Sequence, residues 1–119
     1  MTTILVVEDD PDIRDLVDSV LSLEGYDVAQ AANGQEALEF LQTHAAPGLM
    51  LLDMMMPVLS GPELLEIMEA DPRLSGFPVI VISAIAELGS APGVERFVKK
   101  PVSNDMLKSL AAEYCPHHP

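Results

Sequence analysis

The sequence predicts an α/β domain in which a doubly wound, five-stranded parallel sheet is covered by helices on both faces. Three observations carry this prediction: short apolar runs alternate with amphipathic ones, the segments joining them are brief, and polar or charged residues follow the apolar runs. Alternating strands and helices with short connections close into a parallel sheet buried on both sides.

Each element has its own local reason. "TILVV" (3–7) reads as a short buried strand. "PDIRDLVDSVLSLEG" (11–25) spaces Ile13, Leu16, Val17, Val20, Leu21 and Leu23 as the apolar side of a helix. Asp10 and Pro11 supply its N-cap and first-turn proline, and Gly25 ends it. "YDVAQA" (26–31) is a more polar strand, placed nearer an edge. "NGQEALEFLQTH" (33–44) is a helix with Asn33 as cap and Ala37, Leu38 and Leu41 on one face. "GLMLLD" (48–53) is the third strand, and "GPELLEIMEAD" (61–71) is a helix opened by the capping-box pair Ser60 and Glu63. "FPVIVISA" (77–84), rich in β-branched residues, is the fourth strand. "VERFVKK" (94–100) is the fifth, and "SNDMLKSLAAEY" (103–114) the last helix.

The fourth unit departs from this rhythm. Only "AIAELGSAPG" separates Ser83 from the fifth strand, and Gly89, Pro92 and Gly93 oppose helix continuation. A fourth helix that is shortened or missing is expected there.

Composition restricts what such a domain does. The 119 residues, 49% of them apolar, suit one domain with a genuine core, taken as 1–115 with a tail at 116–119. A net charge of −13 argues against direct contact with nucleic acid. The absence of a long apolar run and of a basic signal-peptide start argues against a membrane partner and points to a cytoplasmic protein. Cys115, the sole cysteine, reads as a bystander thiol in the tail, and the adjoining "PHHP" as frayed chain.

In a doubly wound sheet, ligands bind beyond the carboxyl ends of the strands, where strand order reverses. An order of 2-1-3-4-5 brings Glu8, Asp9, Asp53, Ser83 and Lys100 to that edge. Clustered carboxylates repel one another unless a hard cation lies among them, and oxygen-only ligation suits hydrated Mg²⁺. An aspartate can attack phosphorus, with Lys100, Ser83 and the cation sharing the phosphoryl oxygens.

The stretches "ILVVEDDPDIR", "LLDMMMPVLSGPELL", "VIVISA" and "FVKKP" together resemble the receiver domain of a two-component response regulator, of the chemotaxis-regulator kind, over nearly the whole chain. The resemblance implies a flavodoxin-like fold and phosphorelay signal transduction. It implies phosphorylation on Asp53 by a histidine kinase or histidine phosphotransfer protein. It makes Asp9 a direct Mg²⁺ ligand, Glu8 a ligand through water, and Met55 a ligand through its backbone carbonyl. Ser83 and Phe97 match the switch pair, and Lys100 the lysine before proline. The output is then a changed affinity for a downstream protein; because the shortened fourth unit removes part of the face that receivers commonly use for output, partner binding is expected around the first and fifth helices, with Arg14 and Asp18 on the first.

Simpler explanations exist for single features. Acidic residues before a helix are favoured by its dipole alone, Met54, Met55 and Met56 suit core or rim packing, and Phe97 suits a core. An aspartyl phosphatase would carry a second acid two residues after its nucleophile, where Met55 stands. The domain is therefore not expected to be an enzyme toward external substrates. A receiver-like scaffold that binds protein without phosphorylation is the alternative.

Overall fold

The computed structural model describes residues 3–84 and 93–115. Five parallel strands form one sheet in the order β2-β1-β3-β4-β5, with β1 at Thr3–Val7, β2 at Asp27–Ala31, β3 at Leu49–Asp53, β4 at Val79–Ser83 and β5 at Arg96–Lys99. Four helices are described: α1 (Pro11–Leu23), α2 (Gly34–Thr43), α3 (Gly61–Ala70) and α4 (Asn104–Tyr114), with a 3-10 turn at Pro72–Leu74. The shortened fourth helix expected from sequence falls on residues 85–92, outside the described residues.

The caps are formed as their chemistry requires. Asp10 Oδ1 accepts from the Asp12 and Ile13 amides, and the Asn33 side chain accepts from Glu36 N. The Ser60–Glu63 box closes reciprocally at 3.0 and 3.3 Å. After α1 the chain turns through Gly25 at φ 94°, a left-handed conformation that a side chain disfavours.

Two cores sandwich the sheet. On one face, Leu5, Val7, Met50, Leu52, Val79 and Val81 pack against α2 and α3; on the other, Ile4, Val6, Leu49, Leu51, Ile80 and Ile82 pack against α1 and α4. Because successive strand residues point to opposite faces, β1, β3 and β4 are apolar except at one end each, where Thr3, Asp53 and Ser83 stand, and all five residues of β3 and of β4 are buried.

Two packing expectations are corrected. Leu16 and Leu23 are 53% and 86% exposed, because α1 turns only the stripe of Val17, Val20 and Leu21 fully inward. Cys115 is not a tail thiol: it caps α4 and is buried among the α1 and α4 residues, and burial lifts its pKa above the usual thiol value.

Candidate functional site

Parallel strands all end on the same side, so the residues following β1, β3, β4 and β5 meet at one rim. β1 delivers Glu8 and Asp9, β3 ends on Asp53, β4 ends on Ser83, and β5 leads to Lys100. Pairing holds them in register: Asp53 stands opposite Ile82, and Ser83 opposite Lys99. The Lys100 amide donates to the Ser83 carbonyl at 2.9 Å, which extends the β4–β5 ladder to the lysine itself.

Lys100 Nζ lies 2.8 Å from Glu8 Oε1 and 3.4 Å from Asp53 Oδ2. Glu8, Asp53 and Ser83 are buried, whereas Asp9 is exposed at the mouth. One carboxylate oxygen from each of Glu8, Asp9 and Asp53 lies within 4.8 Å of the others. Glu8 is pushed up to about 7, first by burial and then by neighbouring Asp53, with Lys100 pulling the other way. Burial by itself would lower Lys100, but the hydrogen bond to Glu8 and the charge of Asp53 outweigh it and hold the ammonium above its usual value.

The donor set fits a hard divalent cation. Among the described residues, Glu8 Oε2 is a buried oxygen without a hydrogen-bond partner, on a carboxylate that belongs to this cluster. A buried carboxylate oxygen without a partner is costly, and a cation shared with Asp9 and Asp53 would relieve that cost.

Met55 presents its amide to Asp53 Oδ1 at 3.2 Å, so the chain bends sharply around the aspartate. The three methionines divide as packing predicts: Met54 and Met56 are buried and Met55 is 56% exposed. Gly61 makes the bend possible, since a Cβ there would stand 2.6 Å from the Met54 Cα. Phe97 is half-buried on β5, against the core that faces α2 and α3. Of the two adjacent lysines, Lys100 reaches the site and Lys99 is exposed.

Sequence reasoning missed one residue. Arg14, read as a surface charge for a partner, is half-buried and donates from Nη1 to the Glu8 carbonyl at 2.8 Å and from Nε to Gln30 Oε1 at 3.1 Å. Its partners lie six and sixteen residues away, and no local pattern links them.

Residues 4–112 match the model of the response regulator receiver domain family, and the chain belongs to that family. It is 33% identical over 118 residues to the DNA-binding dual master transcriptional regulator RpaA of Synechocystis, a match covering 94% of this chain and 48% of that protein. It therefore spans about half the length of that relative. A 14.6 kDa protein of Leptolyngbya boryana is 36% identical over 117 residues, covering 94% of this chain and 88% of that one. Among solved structures, the chemotaxis response regulator CheY4 of Vibrio cholerae superposes with a TM-score of 0.86 at 26% identity, over 96% of this chain and 98% of that one. The fold and strand order inferred from sequence are thus those of a receiver domain, a phosphorelay component of two-component systems. Receiver domains bind Mg²⁺ at an acidic site, and the cluster of Glu8, Asp9 and Asp53 has that character.

Proposed function

We propose that Asp53 is the phosphoacceptor of this receiver, taking a phosphoryl group from a histidine kinase or histidine phosphotransfer protein. The observation that carries the proposal is the position of Lys100 Nζ, which touches both Glu8 and Asp53 at the carboxyl rim of the sheet. Asp53 lies at the end of a fully buried strand, so its carboxylate is held rather than solvated and flexible.

Each neighbour has a task in the transfer. An Asp53 oxygen bonds to phosphorus as the bond to the donor's imidazole nitrogen breaks. Lys100 stands ready to leave its ion pair and bind a phosphoryl oxygen, and the Ser83 hydroxyl is the matching donor at the end of β4. Glu8, Asp9 and Asp53, with the Met55 carbonyl, would hold Mg²⁺, which when bound offsets the negative charge of the phosphoryl group. Ser83 and Phe97 form the switch pair that alters affinity for a downstream protein. No external substrate is turned over. The domain works in the cytoplasm, and none of its described helices is long and apolar enough to cross a membrane. Its charge of −13 argues against touching DNA directly, although relatives such as RpaA are DNA-binding regulators.

Incubation with Mg²⁺ and acetyl phosphate, followed by intact-mass measurement, tests the proposal. A phosphoryl adduct should form, map to Asp53 and vanish in Asp53→Ala. No adduct with Mg²⁺ present would favour a scaffold that binds protein without phosphorylation.

A further inference from the structure

We infer that Arg14 is a positioning residue for the divalent-cation site, fixing the turn that carries Glu8 and Asp9 by gripping the Glu8 backbone carbonyl. The inference rests on the cation reading of Glu8, Asp9 and Asp53 given above.

Glu8 occupies the last rung between β1 and β2, where its amide donates to the Ala31 carbonyl at 3.0 Å. Beyond that rung the chain turns toward α1, and the Glu8 carbonyl is met by Arg14 Nη1 at 2.8 Å. The backbone of Glu8 is thus held at both its donor and its acceptor. Its side chain is tethered through Oε1 to Lys100, which leaves Oε2 to the cation.

Arg14 is itself anchored from behind. Its Nε donates to Gln30 Oε1 on β2, and Gln30 Nε2 donates to Asp18, which also accepts from Ser22 Oγ at 2.7 Å. A continuous polar chain therefore runs from Ser22 through Asp18, Gln30 and Arg14 to Glu8, along the flank where α1 packs beside β2. Arginine suits this place because its planar fork presents two donors in fixed directions, one for a carbonyl and one for an amide oxygen. A lysine could satisfy one of them. Asp18 supplies the opposite charge further along the same chain, so the guanidinium is balanced on the side away from the site. Groups that orient metal ligands from behind affect affinity strongly, since a ligand displaced by a fraction of an ångström no longer converges with the others.

Isothermal titration with Mg²⁺ on the intact chain provides the test, because it reads affinity without any phosphoryl transfer. Wild type should bind saturably and Asp9→Asn should lose that binding. Arg14→Ala should loosen Mg²⁺ about tenfold, within the range found for outer-shell partners of metal ligands, while far-UV circular dichroism still reports a folded protein. Arg14→Lys should recover part of the loss. Gln30→Ala keeps the charge and removes only the rear anchor, and should loosen Mg²⁺ by a smaller factor. Wild-type affinity in Arg14→Ala, even with a lowered melting temperature, would overturn the inference and leave Arg14 a purely structural residue. Tighter binding would overturn it too, by making Arg14 only a repelling charge. Should Arg14→Ala fail to fold, Gln30→Ala decides, and unchanged affinity there overturns the inference. If wild type shows no saturable binding, the cation reading itself falls and takes the inference with it; wild-type binding with an unaffected Arg14→Ala defeats the inference alone.

Discussion

The inner strands β3 and β4 and the outer strands β2 and β5 are built from different materials for different tasks. Every residue of β3 and β4 is buried, whereas β2 and β5 carry exposed residues at Asp27, Gln30, Arg96 and Lys99. The inner pair ends on Asp53 and Ser83, both buried at the carboxyl rim of the sheet. The outer pair contributes reach and support: β5 leads into Lys100, whose long side chain crosses back to Glu8 and Asp53, and β2 supplies Gln30 to anchor Arg14. Under the proposed phosphoryl transfer, a carboxylate on a buried strand and a long cation reaching in from an edge strand are the arrangement that lets the ion pair open as the phosphoryl group arrives.

Matched truncations would break this comparison most visibly. Val81 on β4 is fully buried and Val28 on β2 is half-buried, so the same loss of methyl groups should have unequal consequences. Val81→Ala should cost about 2–3 kcal/mol and Val28→Ala about 1 kcal/mol in denaturant unfolding. Equal costs would show that the edge is as tightly packed as the centre.

Lys100→Ala comes next. Removing one member of a fully buried ion pair costs about 3–5 kcal/mol, but the Lys100 side chain is 25% exposed, so about 1–2 kcal/mol is expected. Millimolar Mg²⁺ should raise the melting temperature of this variant more than that of wild type, because it would then be the sole neutraliser of Glu8 and Asp53. An equal rise in both would mean that Lys100 and the cation do not share the same charges.

Val58 sharpens the contrast from the loop after β3. It is 78% exposed and held at φ 69°, a conformation that a β-branched residue adopts only under strain. Val58→Gly should relieve that strain and stabilise the fold by about 1 kcal/mol after the entropy of the unfolded glycine is subtracted. Destabilisation would show that the exposed side chain makes contacts worth more than the strain.

The smallest effect is expected at the far end of α4. Burial holds the Cys115 thiol above its ordinary value of 9.0, so the folded state favours the neutral form. The stability this confers is fully present below pH 9 and declines as pH rises through the folded-state value. Tyr26 is raised as well, by burial first and by the charge of Cys115 second, so the two decline together. Cys115→Ala should therefore flatten the alkaline limb of the stability profile. An identical limb in wild type and variant would assign it to other groups.

The elements of this protein were determined by local sequence. Asp10, Asn33 and Ser60 cap their helices because a short polar side chain can reach an amide two or three residues on, a relation written into the chain itself. Continuous apolar runs placed β3 and β4 inside a parallel sheet, and the rule that ligands lie beyond strand ends then gathered Glu8, Asp9, Asp53, Ser83 and Lys100. Tertiary structure alone decided the matters that depend on distance through space. The proline after Lys100 already singled it out from Lys99, but its contact with both Glu8 and Asp53 came only from the folded sheet, and the exposure of Leu16 and Leu23 from which stripe of α1 docks on it. The burial of Cys115 followed from the docking of α4 against α1. Arg14 shows the limit most clearly: its partners are Glu8, just past the end of β1, and Gln30 on β2, and only the packing of α1 beside these neighbouring strands brings an ordinary helix cation to the Glu8 carbonyl.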